Sequence, residues 1–526
     1  MNTSESDRLR ELIAAWEQGG SGDRAEMAQW SRRVAWLQQA DEGEAQSFLQ
    51  AIVARSAPVA NTPADARLAI ALAQLERRWR ASEGAASSAS PAGPPSAALR
   101  QAILAAYQHL GSASSGRHHL LGILAVGGEP DLRAFADRIA ADPPANPVAA
   151  AVTLWPLFTR QDYQPSWVFP RLLDGLTQLC VASSILDLCN YLVRHQRVAK
   201  HPAAERRREL IELLGSIVGR LGKLETRLVM PEDSLEQMRD AVSESVALAV
   251  ALCDALALIG DQEAVGKLRQ TMELGHRRLR VEAAAALARL GDDEGSAVLA
   301  GLAEEAAVRL RVVSYAEELG ILDRVPEEYR SPVAKAEGEL VAWLASPNQL
   351  GLPPQECDLI DSRKMFWPGY DDPVDCFLYR FAYELGDRQF RGIGLAGPMV
   401  HSFRADLSAL PVDDLYAIFA GFGAQHEEIF ELDVKKLSPA GLSDVTRLER
   451  RLHDAGFEKI APVELGYFLG ERTLIALAQR DDREGVVVAD GEAEHWYPAP
   501  RDPRGPGPQE FYCLYKGRKL LDAFNT

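Results

Sequence analysis

"ALALIGDQEAVGKLRQTM" at residues 255–272 and "ALARLGDDEGSAVLAGLA" at residues 286–303 decide the fold, because they are one phrase written twice. Gly260 matches Gly291, Asp261 matches Asp292, Leu256 matches Leu287 and Leu268 matches Leu299, each pair 31 residues apart. A third copy, "VRLRVVSYAEELG", ends at Gly320; Arg309 precedes that glycine by 11 residues, as Arg280 precedes Gly291. The pattern is an apolar helix closed by a glycine able to turn left-handed, an acidic residue near the positive end of the next helix, and a second amphipathic helix. Such a hairpin is apolar on both sides and cannot stand alone, so the period predicts a stack, with the alanines of "VEAAAALA" admitting close helix approach. A worn copy is read around Gly127 in "LLGILAVGGEPDLRAFADRI".

The phrase from Arg280 to Asp292, Arg-Val-x-Ala-Ala-x-Ala-Leu-x-x-Leu-Gly-Asp, resembles the HEAT-like repeat of the type described in phycobilisome lyases. The resemblance is good over about residues 246–322 and degenerate elsewhere. It implies an α-solenoid and a protein-binding surface, and says little about chemistry, since such repeats serve many functions.

Working outward, the helical period runs from residue 99 to about 345. Residues 1–81 carry four further amphipathic segments with Trp16, Trp30, Trp36 and Trp79 as core anchors. Residues 82–98, "SEGAASSASPAGPPSAA", have nothing to bury and read as a linker. After "LASPNQLGLPPQE" the vocabulary changes, and residues 350–526 predict a C-terminal α+β domain. Strands are predicted in "DCFLYRFAYEL", "QFRGIGLAG", "LGYFL", "RTLIALAQR", "GVVVAD" and "EFYCLYKGRKLLDAF", with helices in "VDDLYAIFAGFGAQHEEIF" and "DVTRLERRLHDAGF". The chain is therefore predicted to be mainly α, a degenerate solenoid followed by an α+β domain.

The formal net charge is −18, from 57 basic and 75 acidic residues, which disfavours a nucleic-acid partner and favours a protein with a basic surface. The one basic run, "RHQRVAKHPAAERRR" at residues 194–208, reads as a solvated helix end and loop. Six cysteines without a CxxC pair predict buried thiols in a reducing, cytoplasmic setting, and no uncharged stretch reaches the length of a membrane span.

For chemistry, the densest stretch is "KMFWPGYDDPVDCFLYRF" at residues 364–381. Alternation places Phe377, Tyr379, Phe381 and Tyr383 on one face of a strand, so sheet packing explains them without a ligand. Trp367 and Tyr370 belong to the preceding turn, and Asp371, Asp372 and Asp375 cap it or face water. These five, with His401 and His426, are the candidate ligand or partner contacts of the domain. "GIGLAG" at residues 392–397 matches GxGxxG but lacks the βαβ context, so relief of a bent strand is the better account. Cys357, Cys376, His401 and His426 lack the tight spacing of a zinc site, and no nucleophile signature is present, so no cofactor, metal or catalytic residue is assigned. The function expected is a non-catalytic scaffold or adaptor. The rival is a solenoid arm carrying an enzymatic or small-ligand C-terminal domain, signalled by convergence of Asp371, Asp372, His401, His426 and Glu427 on one pocket.

Overall fold

The computed structural model describes residues 5–17, 23–80, 93–112, 114–225, 235–386, 388–424, 428–431, 437–498 and 505–525, and its packing divides the chain into two bodies, 1–298 and 299–526. Of the linker segment, residues 82–92 lie outside the described residues, and at its other end Ser96 caps a helix that starts at Ala97. The chain is mainly α, with a C-terminal α+β region.

Body one contains α1 (Glu5–Glu17), α2 (Arg24–Val34), α3 (Glu42–Val53), α4 (Pro63–Arg80), α5 (Ala97–Leu110), α6 (His118–Ala125) and α7 (Glu129–Ala141). It continues through α8 (Pro147–Thr159), α9 (Leu179–Arg194), α10 (Arg207–Glu225), α11 (Leu235–Ile259), α12 (Val265–Met272) and α13 (Arg277–Arg289), and α14 (Asp293–Gly301) runs across the division. Trp16, Trp30 and Trp79 are buried, and Trp36 is only half-buried. The indole N–H groups of Trp16 and Trp30 donate to Ala64 O and Arg67 O, fastening α1 and α2 to α4. Among the described residues one helical segment, 241–259, is apolar and long enough to cross a membrane; 56% of it is buried in the protein.

The repeat glycines sit where the sequence places them. Gly260, Gly291 and Gly320 have φ of +78°, +83° and +68°. Behind Gly291 the N–H of Asp292 returns to Leu287 O, and behind Gly320 that of Ile321 returns to Ala316 O, the bonds that close a helix C-terminus. Asp261 and Asp292 then accept from Glu263 N and Gly295 N at the start of the following helical turn. The match between the arginines is looser: Arg280 is half-buried, whereas Arg309 is almost fully buried and donates to Ala303 O, Glu304 O, Ala334 O and Glu337. Gly127 closes α6 without a positive φ.

Body two begins with α15 (Ala306–Glu318), α16 (Glu327–Arg330) and α17 (Pro332–Leu344). There follow β1 (Glu356–Met365), β2 (Val374–Leu385), β3 (Arg388–Ala396), β4 (His401–Phe403) and α18 (Val412–Gly423), then β5 (Glu428–Glu431) and α19 (Pro439–Asp454). It ends with β6 (Glu458–Phe468), β7 (Glu471–Arg480), β8 (Arg483–Ala489), β9 (Glu494–Pro498) and α20 (Pro508–Phe524). The strands form two antiparallel sheets in simple meander order, β1-β2-β3-β4 and β5-β6-β7-β8-β9.

The body is layered as helix, sheet, helix pair, sheet, helix. Ala336, Leu340 and Leu344 of α17 cover the face of the first sheet that carries Tyr379, Phe381 and Tyr383. Its other face, with Cys376, Leu378, Ile393 and Leu395, shares one core with α18, α20 and Ile475, Val486 and Val488 of the second sheet. Leu448 and Leu452 of α19 close the far side against Leu465, Leu474 and Val487. The aromatic alternation of β2 is thus satisfied by packing, at about 2 kcal/mol for each large apolar side chain buried. The helix that satisfies it, α17, belongs to the helical-period part of the sequence, upstream of the change in vocabulary near residue 350.

The order helix, four-stranded meander, helix occurs twice: α17 to α18, and α19 with β6 to α20. The sequence keeps traces of this. "LYAIFAG" at residues 415–421 and "FYCLYKG" at residues 511–517 stand 96 residues apart, and "HSF" at 401–403 matches "HWY" at 495–497. The structure aligns them, with Tyr416 lying against Cys376 O and Asp361 O of the first sheet, and Tyr512 against Gly466 of the second.

Five elements correct the sequence reading, among them β4, which no predicted strand covers, and β5, whose residues 428–430 fall in the segment predicted as a helix, which ends at Gly423. "EFYCLYKGRKLLDAF" is the helix α20, started by Pro508 in its first turn and by Glu510 reaching back to Gly507 N. The aromatic spacing there follows the helical repeat, with Phe511, Leu514, Tyr515 and Leu521 buried. Residues 356–365 and 494–498, where no strand is predicted, are strands β1 and β9. The glycines of "GIGLAG" permit close contacts, since a Cβ on Gly392 would fall 2.4 Å from the Phe381 ring, one on Gly394 2.6 Å from Leu340 of α17 and one on Gly397, at φ +113°, 2.1 Å from Asp375 O.

Candidate functional site

The β1–β2 connection holds most of the residues singled out by sequence. Trp367 is buried in the shared core, and the turn closes through Tyr370 N to Trp367 O, with Gly369 at φ +89°. Tyr370 is 44% exposed and its hydroxyl donates to Pro398 O. Asp371, Asp372 and Asp375 are all exposed.

His401 lies elsewhere, on β4 inside an aromatic cluster. Its ring stacks on Phe422 at 3.9 Å and meets Phe403 at 5.1 Å, Trp343 at 5.7 Å and Phe419 at 6.3 Å. Burial pushes its pKa down to about 4, so at neutral pH it is an uncharged ring packed among rings. His426 and Glu427 lie outside the described residues.

The cysteine candidates are unreactive in character. Burial raises Cys376 and Cys357 to about 12 each, far from the thiolate a nucleophile needs. Among the described residues no three of His, Cys, Asp and Glu converge as a metal-binding group. The basic run is largely neutralised within the fold. Arg194 pairs with Asp254, Lys200 with Glu205, Arg206 with Asp174 and Arg207 with Asp261, while Arg197 donates to the carbonyls of residues 160, 161 and 163.

One buried polar constellation of body two was not anticipated. Asp490, 1% exposed at the end of β8, accepts Glu492 N and Ala493 N on one oxygen at 2.8 Å. Its other oxygen accepts the Tyr515 hydroxyl at 2.5 Å and Lys519 Nζ at 2.7 Å, both from α20. Burial alone would raise this carboxyl, but the hydrogen bonds from Lys519, Tyr515 and the two backbone N–H groups outweigh it and hold Asp490 well below the usual carboxylate range. Tyr515 is raised to about 12, by burial first and then by its bond to Asp490. Each oxygen of Asp490 has two donors, so the group ties α20 to the β8–β9 turn and is not a free base.

Beside it are polar atoms with no hydrogen-bond partner: His495 Nε2, Thr473 Oγ1, Tyr512 Oη and one oxygen of Glu471. The His495 ring lies 4.9 Å from that of Tyr515. In the first copy of the module the corresponding helix positions are Phe419 and Gly423, so the architecture closes without this polar set. Tyr515 and Lys519 lie one turn apart only if residues 508–524 are helical, so reading that segment as a strand concealed their pairing.

No protein-family model, curated protein or solved structure matches the chain.

Proposed function

We propose that the protein is a non-catalytic scaffold or adaptor, its helical hairpins being repeats of HEAT-like type that bind another protein. The observation that carries this reading is α8. It has no charged residue, yet Val148 is 73%, Val152 36% and Trp155 58% exposed along one side of it. Rings continue the patch, from Trp155 to Phe158 at 6.2 Å, Phe158 to Tyr191 at 5.2 Å and Tyr191 to His195 at 3.9 Å. An apolar strip of this kind on a helical array is what a protein partner covers. The net charge of −18 favours a partner that presents its apolar segment within a basic surface. Six cysteines left as free thiols support a reducing, cytoplasmic setting. The test is affinity capture from native lysate with the full chain and with a Val148→Asp/Trp155→Asp variant. The reading requires a basic protein recovered by the first and lost by the second; equal recovery of the same proteins removes α8 from the account.

A second reading, a small-ligand function for body two, rests on the unpartnered polar atoms around Tyr512 and His495. An unsatisfied buried polar group costs roughly 1–3 kcal/mol, which a bound polar molecule would offset. Native mass spectrometry of the full chain decides: a retained small mass lost in Thr473→Val/Tyr512→Phe supports it, and a bare chain mass removes it.

A further inference from the structure

The two copies of the module differ at one edge. In the second sheet β5 pairs along Glu464–Tyr467 on the outer side of β6, whereas the first sheet begins at β1 with no strand outside it among the described residues. β1 is the longer opportunity, with ten residues from Glu356 to Met365. It is largely uncovered, since Glu356, Asp358, Leu359, Ser362 and Lys364 are exposed, Leu359 by 41%. Beyond it the edge is closed, because Asn525 bonds both Phe366 N and Phe366 O through its side chain. A row of free N–H and C=O groups on such an edge is a template for another strand.

The charges on β1 select the strand. Its first half carries Glu356 and Asp358; its second half carries Asp361, Arg363 and Lys364, and since Arg363 pairs with Asp361 and Asp413, Lys364 supplies the basic character of that half. Antiparallel pairing about a two-fold axis near Ile360 sets the acidic half of one strand opposite the basic half of the other, and a two-fold contact must be complementary to itself in this way. Parallel pairing of the same strands in register would set like charges together. Charges and the irregularity between Leu359 and Asp361 also protect an edge from indiscriminate pairing, which leaves a charge-matched strand as its partner.

We propose that β1 is a homodimerisation edge, two copies of this chain joining their first sheets antiparallel into one continuous eight-stranded sheet. The geometry is that of the β5–β6 pair, with a second copy supplying the strand that the chain itself supplies in the second sheet. This is independent of the α8 surface.

The experiment is light-scattering mass determination of the full chain, 57.6 kDa, at low ionic strength. Twice that mass is expected, falling to the single mass for Glu356→Lys/Asp358→Lys and for Lys364→Glu, whose targets are exposed side chains. The dissociation constant should rise at least tenfold in each. An equimolar mixture of the two variants should recover the doubled mass, because opposite charges again face one another. A monomeric wild-type chain overturns the proposal. So does a dimer that ignores both substitutions, which places the contact on another surface, or variants whose mixture stays monomeric.

Discussion

Gly517 of α20 lies so close to Ala417 of α18 that a Cβ on the glycine would stand 1.6 Å from the Ala417 carbonyl oxygen. The relation is reciprocal. A Cβ on Gly421 would stand 1.9 Å from the Cys513 carbonyl, and Ala417 and Cys513 occupy the same place in the two copies of the module. The two central helices therefore touch backbone to backbone about a local pseudo-two-fold axis.

Substituting either glycine with alanine must drive the helices apart. Gly517→Ala and Gly421→Ala should each cost at least about 3 kcal/mol, the upper part of the overpacking range, because the obstacle is backbone and has no rotamer to yield. Urea unfolding followed by the tyrosine and tryptophan signals of body two measures this, and a loss under 1 kcal/mol would contradict the close approach.

The repeat glycines give a contrasting case. A Cβ on Gly260 or Gly291 meets nothing within 4 Å, yet φ is +78° and +83°. Alanine there should cost about 1–2 kcal/mol from the left-handed backbone alone. Gly260→Asn should recover part of the loss, since asparagine tolerates that conformation, and thermal melts of the three proteins give the ordering.

His201 makes the first body sensitive to acid. Its Nε2 faces Asn190 Oδ1 at 3.0 Å while Nδ1 accepts Ala203 N at 3.2 Å, an arrangement that fixes the neutral ring. Burial lowers its pKa to about 4. Below the unfolded value of about 6.5 the unfolded chain binds a proton that the folded chain refuses, so stability falls as pH drops from 6.5 towards 4. His201→Gln should flatten the melting temperature against pH across that window; an unchanged slope would assign the acid sensitivity to other groups.

Asp490 works with the opposite sign. Its folded pKa lies below the unfolded carboxylate value, so its contribution is complete above about pH 4 and is lost as pH falls through the folded value. Lys519→Met leaves the buried carboxylate without its cation and should cost about 3 kcal/mol at pH 7. Asp490→Asn should be clearly destabilised at pH 7 and approach wild type at pH 2, as chemical unfolding at the two pH values would show.

The turn before β2 separates packing from exposure. Trp367→Ala should cost about 3–5 kcal/mol as a core truncation, whereas Asp371→Asn and Asp372→Asn should stay within about 0.5 kcal/mol. Calorimetry of the three variants would expose any hidden role for the carboxylates.

The helix ends at Gly260, Gly291 and Gly320 were legible because a left-handed glycine, followed by Asp261 and Asp292 in the first two, is a local device that needs no distant partner. The aromatic row of β2 was legible for the same reason, since alternation alone puts Tyr379 and Phe381 on one side. Elsewhere the deciding facts were non-local. Phe511 to Tyr515 is an unbroken apolar run like that of a buried strand, and only the start at Pro508 and Glu510 marks it as a helix. Once it is misread, Asp490 loses both side-chain partners and their buried constellation disappears from view. His401 looks like an acid–base group until four aromatic rings gather around it from three separate elements. The duplication was present as Tyr416 and Gly421 against Tyr512 and Gly517, but a 96-residue interval with divergent strands between does not announce itself.

Because α17 roofs the row of Tyr379, Phe381 and Tyr383, the place where the chain changes its vocabulary is a poor place to cut it. A fragment starting at residue 350 would shed that roof and present a bare aromatic face to solvent, along with a Tyr379 hydroxyl deprived of its acceptor, Val333 O. Such a fragment should be sticky in any capture experiment, collecting bystanders through an accidental surface. Dissecting this protein cleanly means carrying the helix with the sheet it covers.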